Sequence, residues 1–173
     1  MLIALTGTPG TGKTSVGQLL EARGYAVLDL DPIARDYGMI TGRDDARQTD
    51  EVDVEALRER IRIPAKLAFL KSHYSHLMDV NIAIVLRCRP SVLRDRLRAR
   101  GWSEEKVREN IEAEAIDVIT QEATRRIPFV YEIDTSEQSA SETTAQVLAI
   151  LQGKTNGHEP GTIDWTSEVL SWY

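Results

Sequence analysis

The sequence predicts an α/β domain with a parallel β-sheet that carries a phosphate-binding loop. Short apolar runs alternate with segments of helical periodicity, and this alternation favours a parallel sheet with right-handed crossovers. A complete G-x-x-x-x-G-K-[ST] motif occupies residues 7–14, directly after the first apolar run. The chain has 173 residues, of which 42% are hydrophobic, and this is enough for one domain with a buried core.

Apolar runs predict the strands, because the strands of a parallel sheet are covered on both faces. They cover residues 2–5, 25–30, 65–70, 82–86 and 129–133. Apolar residues at helical spacing predict the intervening helices. These cover residues 13–23, 32–37, 54–63, 90–100, 103–124 and 140–151. The helix over 103–124 is expected to be continuous, with Ser103 as its N-cap.

The C-terminal part of the chain differs in composition from the rest. We expect a nucleotide-binding domain over residues 1–152 and a linker over residues 153–161, which are rich in Gly, Asn, Lys and Pro. Residues 162–173 hold Trp165 and Trp172 and end on Tyr173. An aromatic tail of this kind is expected to dock on the domain or on a partner.

Composition limits the partners and the location. The net charge of −6 argues against a surface that binds nucleic acid throughout. Cys88 is the only cysteine, which excludes an internal disulfide and a C-x-x-C metal site. No apolar run reaches transmembrane length, and the apolar residues 1–5 are too short for a signal peptide. We therefore expect a soluble cytoplasmic protein without a membrane partner, monomeric in isolation.

The motif at residues 7–14 has the features that a phosphate-binding loop needs. Gly7, Gly10 and Gly12 allow a positive φ and let backbone N–H groups approach a phosphate closely. The helix that begins near Lys13 adds the positive end of its dipole, and Lys13 itself supplies a cation for the β- and γ-phosphates. The Thr14 hydroxyl is suited to Mg²⁺. The loop therefore predicts ATP or GTP with Mg²⁺.

Length and motifs narrow the class of protein. The chain is too short for a motor or transporter ATPase. A small GTPase would carry an N-K-x-D motif that reads the base, whereas Asn81 and Asn110 are each followed by Ile. The remaining class of this size is the kinases that phosphorylate nucleotides or small metabolites. Such enzymes need a cationic site for two sets of phosphates and a lid that excludes water.

An arginine-rich segment is the candidate cationic site. Its members are Arg87, Arg89, Arg94, Arg96, Arg98 and Arg100. On a helix, Arg96 and Arg100 share one flank, and Arg100 directly precedes Gly101, a hinge-like position. Arginines there can swing onto a phosphoryl group during transfer. Arg94 and Arg98 share the other flank and are expected to be a solvated basic face.

Several motifs together resemble one kinase family. They are the phosphate loop, then P-I-A-R at 32–35, R-G-W at 100–102 and N-I-E-A-E at 110–114, in this order. The chain resembles the adenylate kinase isoenzyme six family over about residues 1–150, as an archaeal-like member. This is the nuclear-type adenylate kinase and ATPase family, whose fungal and archaeal members also act in assembly of the small ribosomal subunit.

The resemblance implies a fold and its moving parts. It implies the nucleoside-monophosphate-kinase fold, with a five-stranded parallel sheet in the order 2-3-1-4-5. It also implies an insert that binds the nucleoside monophosphate, at about residues 29–49, and a short lid at about residues 99–109. Residues 132–136 follow the fifth predicted strand, where such kinases place the adenine.

The resemblance also implies roles for particular residues. ATP would be held by Gly10, Gly12, Lys13, Thr14 and Ser15. Lys13 would act in catalysis together with Arg100, which closes over the ATP phosphates, and with Arg96. Thr14 would hold Mg²⁺, and Arg35 in the insert would meet the phosphate of AMP.

One departure from the family concerns the metal. The family often has an Asp-x-His motif after the third strand, in which the acid supports Mg²⁺ and the His serves ATP hydrolysis. This chain has Lys71-Ser72-His73 there, so the histidine is present and the acid is not. Both a catalytic and a structural role stay open for His73, and His76 is expected to be an exposed polar residue. Another carboxylate could take the place of the acid, from Asp29, Asp31 or Asp79.

Two functions of different classes follow from the sequence. The first is a phosphotransferase that converts ATP and AMP into two ADP by positioning and charge neutralisation, with slow ATPase activity besides. The acceptor could also be another nucleoside monophosphate. The second is an assembly factor switched by ATP, which binds a protein of the small ribosomal subunit or rRNA. The aromatic tail and the arginine-rich segment favour this second function.

Overall fold

The computed structural model describes residues 1–44 and 49–172. Its strands are β1 Leu2–Thr6, β2 Ala26–Asp29, β3 Ile40–Asp44, β4 Thr49–Val52, β5 Ala68–Lys71, β6 Ile82–Arg87 and β7 Phe129–Asp134. Its helices are α1 Lys13–Ala22, α2 Leu30–Asp36, α3 Val54–Arg60, α4 Pro90–Arg98, α5 Glu104–Ala115, α6 Val118–Arg126, α7 Ala140–Leu151 and α8 Thr166–Leu170. A short 3₁₀ turn covers Ser75–Leu77.

The central sheet confirms the predicted fold class. Its five parallel strands lie in the order β2-β5-β1-β6-β7. Counted along the chain among these five strands, this is the predicted order 2-3-1-4-5. Strand β1 lies at the centre, so its carboxyl end, from which the phosphate loop emerges, is flanked by the ends of β5 and β6. In an open α/β sheet this edge is where ligands bind.

Both faces of the sheet are buried, as the apolar runs predict. Ile3 and Leu5 pack on one side against residues of α1 and α7, and Ala4 packs on the other side with Ala123 of α6. All four residues named here are fully buried. The strands therefore form a rigid platform, and the loops at its carboxyl edge are held in fixed positions.

The prediction of one continuous helix over residues 103–124 is wrong, because the chain forms two helices there. Helix α5 ends at Ala115, and Asp117 adopts a left-handed conformation with φ 57° before α6 begins. The Arg87 guanidinium binds the Glu114 carbonyl oxygen at 3.1 Å and also binds the Asp117 carboxylate. Arg87 thus holds the groups around which the chain turns, a tertiary interaction that helical periodicity does not reveal.

The predicted insert contains α2 and β3, and β3 pairs with the following β4 in an antiparallel hairpin. These two strands were not predicted, because the segment is polar and charged. A second apolar cluster anchors this part on the sheet, with Leu30 and Ala34 of α2, Leu57 of α3 and Leu70 of β5. Residues 45–48, which belong to the predicted insert, lie outside the described residues.

The segment predicted as a linker is hydrogen-bonded to β7. The Glu132 backbone N–H donates to the His158 carbonyl at 2.8 Å, and the Gly161 N–H donates to Glu132 Oε2 at 2.8 Å. In the tail, Trp165 is 8% exposed, and Trp172 packs against the apolar cluster between α4 and α5. Tyr173 lies outside the described residues. Among the described helices, none is long and apolar enough to cross a membrane.

Candidate active site

The phosphate loop connects β1 to α1 in a conformation that its glycines make possible. Gly7, Gly10 and Gly12 have φ values of 135°, 96° and 103°. A Cβ atom on Gly7 would lie 2.3 Å from the carbonyl oxygen of Leu86, so backbone alone excludes a side chain there. The loop therefore stays close to β6 and turns its backbone around the amino end of α1.

Lys13 folds back under the loop. Its Nζ donates to the carbonyl oxygens of Gly7 at 2.6 Å and Thr8 at 3.0 Å. Burial of the ammonium group, with the nearby positive charge of Arg100, lowers the pKa of Lys13 to about 7. A bound polyphosphate would favour the charged form again, because an opposite charge raises the pKa of a lysine.

A cavity of about 470 Å³ opens above the loop. It brings together the predicted ATP-binding and catalytic residues except Arg96, namely Gly10, Gly12, Lys13, Thr14, Ser15, His73 and Arg100. Asp29, Asp31 and Lys71 line it as well, and Trp102 and Asn110 approach from the predicted lid and α5. Since the lining combines cations, carboxylates and loop backbone, the cavity suits a phosphorylated ligand accompanied by a metal ion.

A second cavity, of about 390 Å³, lies on the other side of the loop. It shares Gly10, Gly12, Ser15 and Arg100 with the first. Its far wall consists of Thr135 and Gln138, which follow β7, and of the first turns of α7. The phosphate loop and Arg100 therefore separate two spaces, each about large enough for part of a nucleotide.

Arg96 lines the second cavity and is already bound. Its guanidinium donates to the Thr135 carbonyl at 2.7 Å, the Thr135 hydroxyl at 3.2 Å and the Ser136 carbonyl at 3.3 Å. The Thr135 hydroxyl in turn lies 2.9 Å from the Thr11 carbonyl oxygen of the phosphate loop. Arg96 thus ties the end of α4 to the loop after β7, at the wall of the cavity.

Arg100 differs from Arg96 in being exposed and available. It lies just beyond α4, before Gly101, whose φ of 73° reverses the chain toward α5. Within residues 1–44 and 49–172 no carboxylate forms an ion pair with Arg100. Its positive charge is close enough to Lys13 to help lower the pKa of that lysine.

Arg35 does not line either cavity. It lies in the last turn of α2, its side chain is 57% exposed, and its Nε donates to Asp50 Oδ2 of β4 at 3.1 Å. The structure thus pairs the predicted substrate arginine with a carboxylate of the hairpin, outside both cavities.

The structure narrows the choice of metal-binding carboxylate. Asp79 pairs with Arg58 at 3.5 Å near the amino end of β6, away from the phosphate loop. Asp29 and Asp31 line the main cavity together with Thr14. No group of three or more His, Cys, Asp or Glu side chains that could hold a metal occurs among the described residues. Mg²⁺ needs no such group, since one or two protein oxygens with water and phosphate suffice, so this donor set fits Mg²⁺.

His73 lines the main cavity, with its ring edge against the ring of Tyr74 at a centroid distance of 5.0 Å. The residue as a whole is exposed, and it forms part of the cavity wall. Burial by the surrounding wall, with the nearby positive charge of Lys13, lowers the pKa of His73 to about 4. The imidazole is therefore neutral near pH 7 and can accept a proton or a hydrogen bond.

Sequence reasoning missed a buried ion-pair network beneath the loop. Arg87 was expected in the cationic site, but its side chain is 2% exposed and binds Glu114, Asp117 and Glu132. Burial opposes the charge of Arg87, yet these carboxylates outweigh burial and raise the pKa of its guanidinium. The sequence did signal that two of these residues are buried, though not that they pair, because Arg87 ends an apolar strand and Glu114 continues the stripe of Val107 and Ile111 on α5.

Glu114 connects this network to the phosphate loop. Its Oε2 accepts a hydrogen bond from the Thr8 hydroxyl at 2.6 Å. Its Oε1 accepts from Arg87 Nε at 2.7 Å, the Cys88 N–H at 3.1 Å and Trp165 Nε1 at 3.3 Å. One buried carboxylate thus joins the loop, the end of β6, helix α5 and the tail.

The prediction that His76 is exposed is wrong. Its side chain is 2% exposed, and its ring nitrogens lie 3.0 Å from the Thr6 hydroxyl and 2.9 Å from Glu122 Oε2. Burial lowers the pKa of His76, against the opposing effect of Glu122. The residue supports the end of β1 just before the phosphate loop, and it does not line either cavity.

Comparisons with known proteins agree with this architecture. A protein-family model described as an AAA domain matches residues 3–117. A protein of Archaeoglobus fulgidus named "Putative adenylate kinase" is 48% identical, and the match covers 98% of this chain and 94% of the relative. A protein of the same name from Methanosarcina barkeri is 43% identical, over 98% of this chain and 100% of the relative.

Solved structures share the fold. The structure of shikimate kinase from Acinetobacter baumannii in complex with shikimate superposes with a TM-score of 0.60 at 17% identity, over 90% of this chain and 94% of that chain. This likeness concerns the fold alone. It agrees with the predicted fold, a five-stranded parallel sheet flanked by helices.

Proposed function

This chain belongs to the family of archaeal proteins named "Putative adenylate kinase", and from that premise we propose that it is a nucleoside monophosphate kinase, which converts ATP and AMP into two ADP. The observation that carries the proposal is the placement of Arg100 and the phosphate loop between two cavities of about 470 and 390 Å³. A phosphoryl group held at the loop can then face two nucleotides, one donor and one acceptor.

The donor nucleotide takes the loop and the second cavity. Its β- and γ-phosphates lie on the backbone N–H groups of the loop, opposite Lys13. Its base enters the space beside Thr135 and Gln138. The side-chain oxygen of Gln138 is buried and has no hydrogen-bond partner in the described part of the chain. It can therefore accept a hydrogen bond from an amino group of the base.

The acceptor AMP takes the main cavity on the side of the insert. Arg35 of α2 supplies the cation for the AMP phosphate, and the phosphate then replaces Asp50 as the partner of Arg35. This exchange costs little because the pair is exposed, and exposed ion pairs contribute only about 0–1 kcal/mol. The insert, at about residues 29–49, brings Arg35 toward the cavity when AMP binds.

The chemistry consists of positioning and charge neutralisation. An oxygen of the AMP phosphate forms the new bond to the γ-phosphorus, and the bond to the β–γ bridging oxygen breaks, which leaves two ADP. Lys13 and Arg100 face the charge that spreads over the transferring group. Arg96 stays bound to Thr135 in the wall of the second cavity, where its positive charge lies near the phosphate loop. Mg²⁺, which neutralises β- and γ-oxygens when bound, would be held by Thr14 and by Asp29 or Asp31.

Closure of the lid excludes water. Residues 99–109 include the hinge-like Gly101 and the stacked pair Trp102 and Lys106, whose Nζ lies 3.9 Å from the indole centroid. When the lid is open, water can replace AMP as the acceptor. The neutral His73 imidazole is then placed to accept the proton of that water, and slow ATP hydrolysis results.

The experiment that tests the proposal is a turnover assay with Mg-ATP, in the presence and absence of AMP. ADP should form much faster when AMP is added. If AMP does not accelerate ADP formation while hydrolysis persists, the chain is not an adenylate kinase. Lys13→Ala should abolish both activities, and activity retained in that variant would exclude the phosphate loop as the donor site.

A second candidate function is an assembly factor switched by ATP. The chain of contacts from Trp165 through Glu114 to Thr8 favours it, because it connects the tail to the loop that senses nucleotide. The partner would be a protein of the small ribosomal subunit or rRNA. Capture of such a partner by the purified protein should then depend on whether ATP or ADP is bound. Capture that is equal in both states would exclude the switch.

A further inference from the structure

Lys71 occupies a central position at the ligand-binding edge of the sheet. It is the last residue of β5, and its Cα pairs with Leu5 of β1 on one side and Asp29 of β2 on the other. Its side chain is 15% exposed, and its Nζ lies 2.6 Å from Asp29 Oδ2. Lys71 also lines the main cavity together with Lys13 and Thr14.

Helix α1 leaves room for the stem of this lysine. Gly17 is buried in the middle of α1, where glycine weakens a helix relative to alanine. A Cβ atom at Gly17 would lie 3.3 Å from Lys71 Cδ, which is closer than ordinary van der Waals contact. The absent side chain lets the aliphatic stem of Lys71 cross α1 and deliver the ammonium group to the cavity.

Cations gather around the phosphate loop. Lys13, Lys71 and Arg100 all line the main cavity, where Asp29 and Asp31 lie as well. The positive charges of Arg100 and Lys71 lower the pKa of Lys13, although Glu114 and Asp31 oppose this effect. An anion with several charges would relieve the repulsion among these cations. A nucleotide polyphosphate is the ligand of this kind that the phosphate loop accepts.

The bond between Lys71 and Asp29 can be exchanged. Asp29 is 39% exposed at its side chain, so water screens the pair. The other oxygen of Asp29, Oδ1, accepts from the Asp31 N–H at 3.2 Å and caps α2 independently of Lys71. Asp29 therefore keeps a structural bond when the lysine moves away.

We propose that Lys71 is a second phosphate-binding lysine of this site, which leaves Asp29 and binds a phosphate oxygen when the nucleotide enters. This proposal depends on one part of the proposed function, namely that the phosphate loop binds a nucleotide. It differs from that of Lys13, because Lys71 approaches from β5, on the side of the cavity that faces the insert.

The test is calorimetric binding of ATP, without Mg²⁺ and without AMP, to the full chain and two variants. Lys71→Met keeps the stem beside Gly17 and removes the charge, and Lys71→Arg keeps the charge. Loss of one hydrogen bond between charged groups should weaken ATP binding by about tenfold or more in Lys71→Met. The affinity of Lys71→Arg for ATP should stay within about threefold of that of the parent protein. The difference in ATP affinity between Lys71→Met and the parent protein should become smaller at high salt.

Adenosine, which lacks phosphate, is the matched control ligand. Its affinity should be equal in all three proteins if Lys71 acts on phosphate. ATP binding by Lys71→Met within about twofold of the parent protein overturns the proposal, as does an equal loss for ATP and adenosine. The binding measurement involves no turnover, so it is independent of the kinase assay. Absence of AMP-stimulated turnover would refute the kinase function, but it would not decide whether Lys71 binds phosphate.

Discussion

The Thr8 hydroxyl donates a 2.6 Å hydrogen bond to the Glu114 carboxylate, and this bond fixes the phosphate loop to helix α5. Both residues are buried, at 3% and 2% exposure. The other oxygen of Glu114 accepts from Arg87, from the Cys88 N–H and from Trp165. The geometry of the loop thus depends on a carboxylate far away in the sequence.

Thr8→Val should therefore destabilise the protein and weaken its binding of ATP. The change keeps the shape of the side chain but leaves Glu114 Oε2 without the Thr8 donor in a buried place. Loss of a hydrogen bond to a buried charged group costs about 1–3 kcal/mol. Denaturant unfolding should show this loss of free energy of unfolding, and calorimetry should show weaker ATP binding.

Thr8→Ser is the matched control for this prediction, because it keeps the hydroxyl. It should remain within about 1 kcal/mol of the parent protein in unfolding free energy. If Thr8→Val is as stable as Thr8→Ser and binds ATP equally well, the Thr8–Glu114 bond does not position the loop.

The sheet and the phosphate loop could be predicted because their signals are local. Apolar runs mark the strands, and the loop motif lies within eight consecutive positions, 7–14. The network of Arg87, Glu114 and Glu132 was missed because its members are distant in sequence and nothing in a single sequence pairs them. The break at Asp117 was missed for the same reason, since Arg87 stabilises a turn that helical periodicity alone would not place there.

The lowered pKa of Lys13 predicts proton uptake when ATP binds. In the free protein the pKa is about 7, so Lys13 is largely neutral above pH 8. A bound polyphosphate favours the ammonium form, so ATP binding at about pH 8 should be accompanied by uptake of up to about one proton. Calorimetry at this pH in two buffers of different ionisation enthalpy measures the uptake.

Lys13→Arg is the control for the proton uptake, because arginine stays charged at this pH. Its ATP binding should show little or no uptake. Uptake equal to that of the parent protein would assign the proton to another group. Since the pKa of Lys13 is lowered on folding, this group also favours stability at high pH, and its contribution is lost as the pH falls from about 10.5 to about 7.

The ion pair of Arg35 and Asp50 predicts that substitution of its two members changes the KM for AMP in opposite directions. Arg35→Ala should raise the KM for AMP by about tenfold or more and leave the KM for ATP nearly unchanged, because only the acceptor phosphate loses a charged partner. Asp50→Asn should lower the KM for AMP, by no more than about fivefold, since the exposed pair contributes about 0–1 kcal/mol. Steady-state kinetics with each nucleotide varied in turn measures both.

Arg58→Ala is the matched control, because Arg58 also forms partly exposed ion pairs, with Glu55 and Asp79, but lies outside both cavities. It should leave the KM for AMP unchanged. An equal rise of the KM for ATP and AMP in Arg35→Ala would place Arg35 outside the acceptor site.

The contact between Trp165 and Glu114 predicts that the tail influences the phosphate loop. Trp165→Phe removes a buried N–H donor and should lower the free energy of unfolding by about 1–3 kcal/mol. It should also weaken ATP binding, because Glu114 then holds Thr8 less firmly. Leu170→Ala is the control at the end of the short helix that follows Trp165, since Leu170 is 69% exposed and should change stability by less than about 0.5 kcal/mol. If Trp165→Phe loses stability but binds ATP as the parent protein does, the tail supports the fold without acting on the loop.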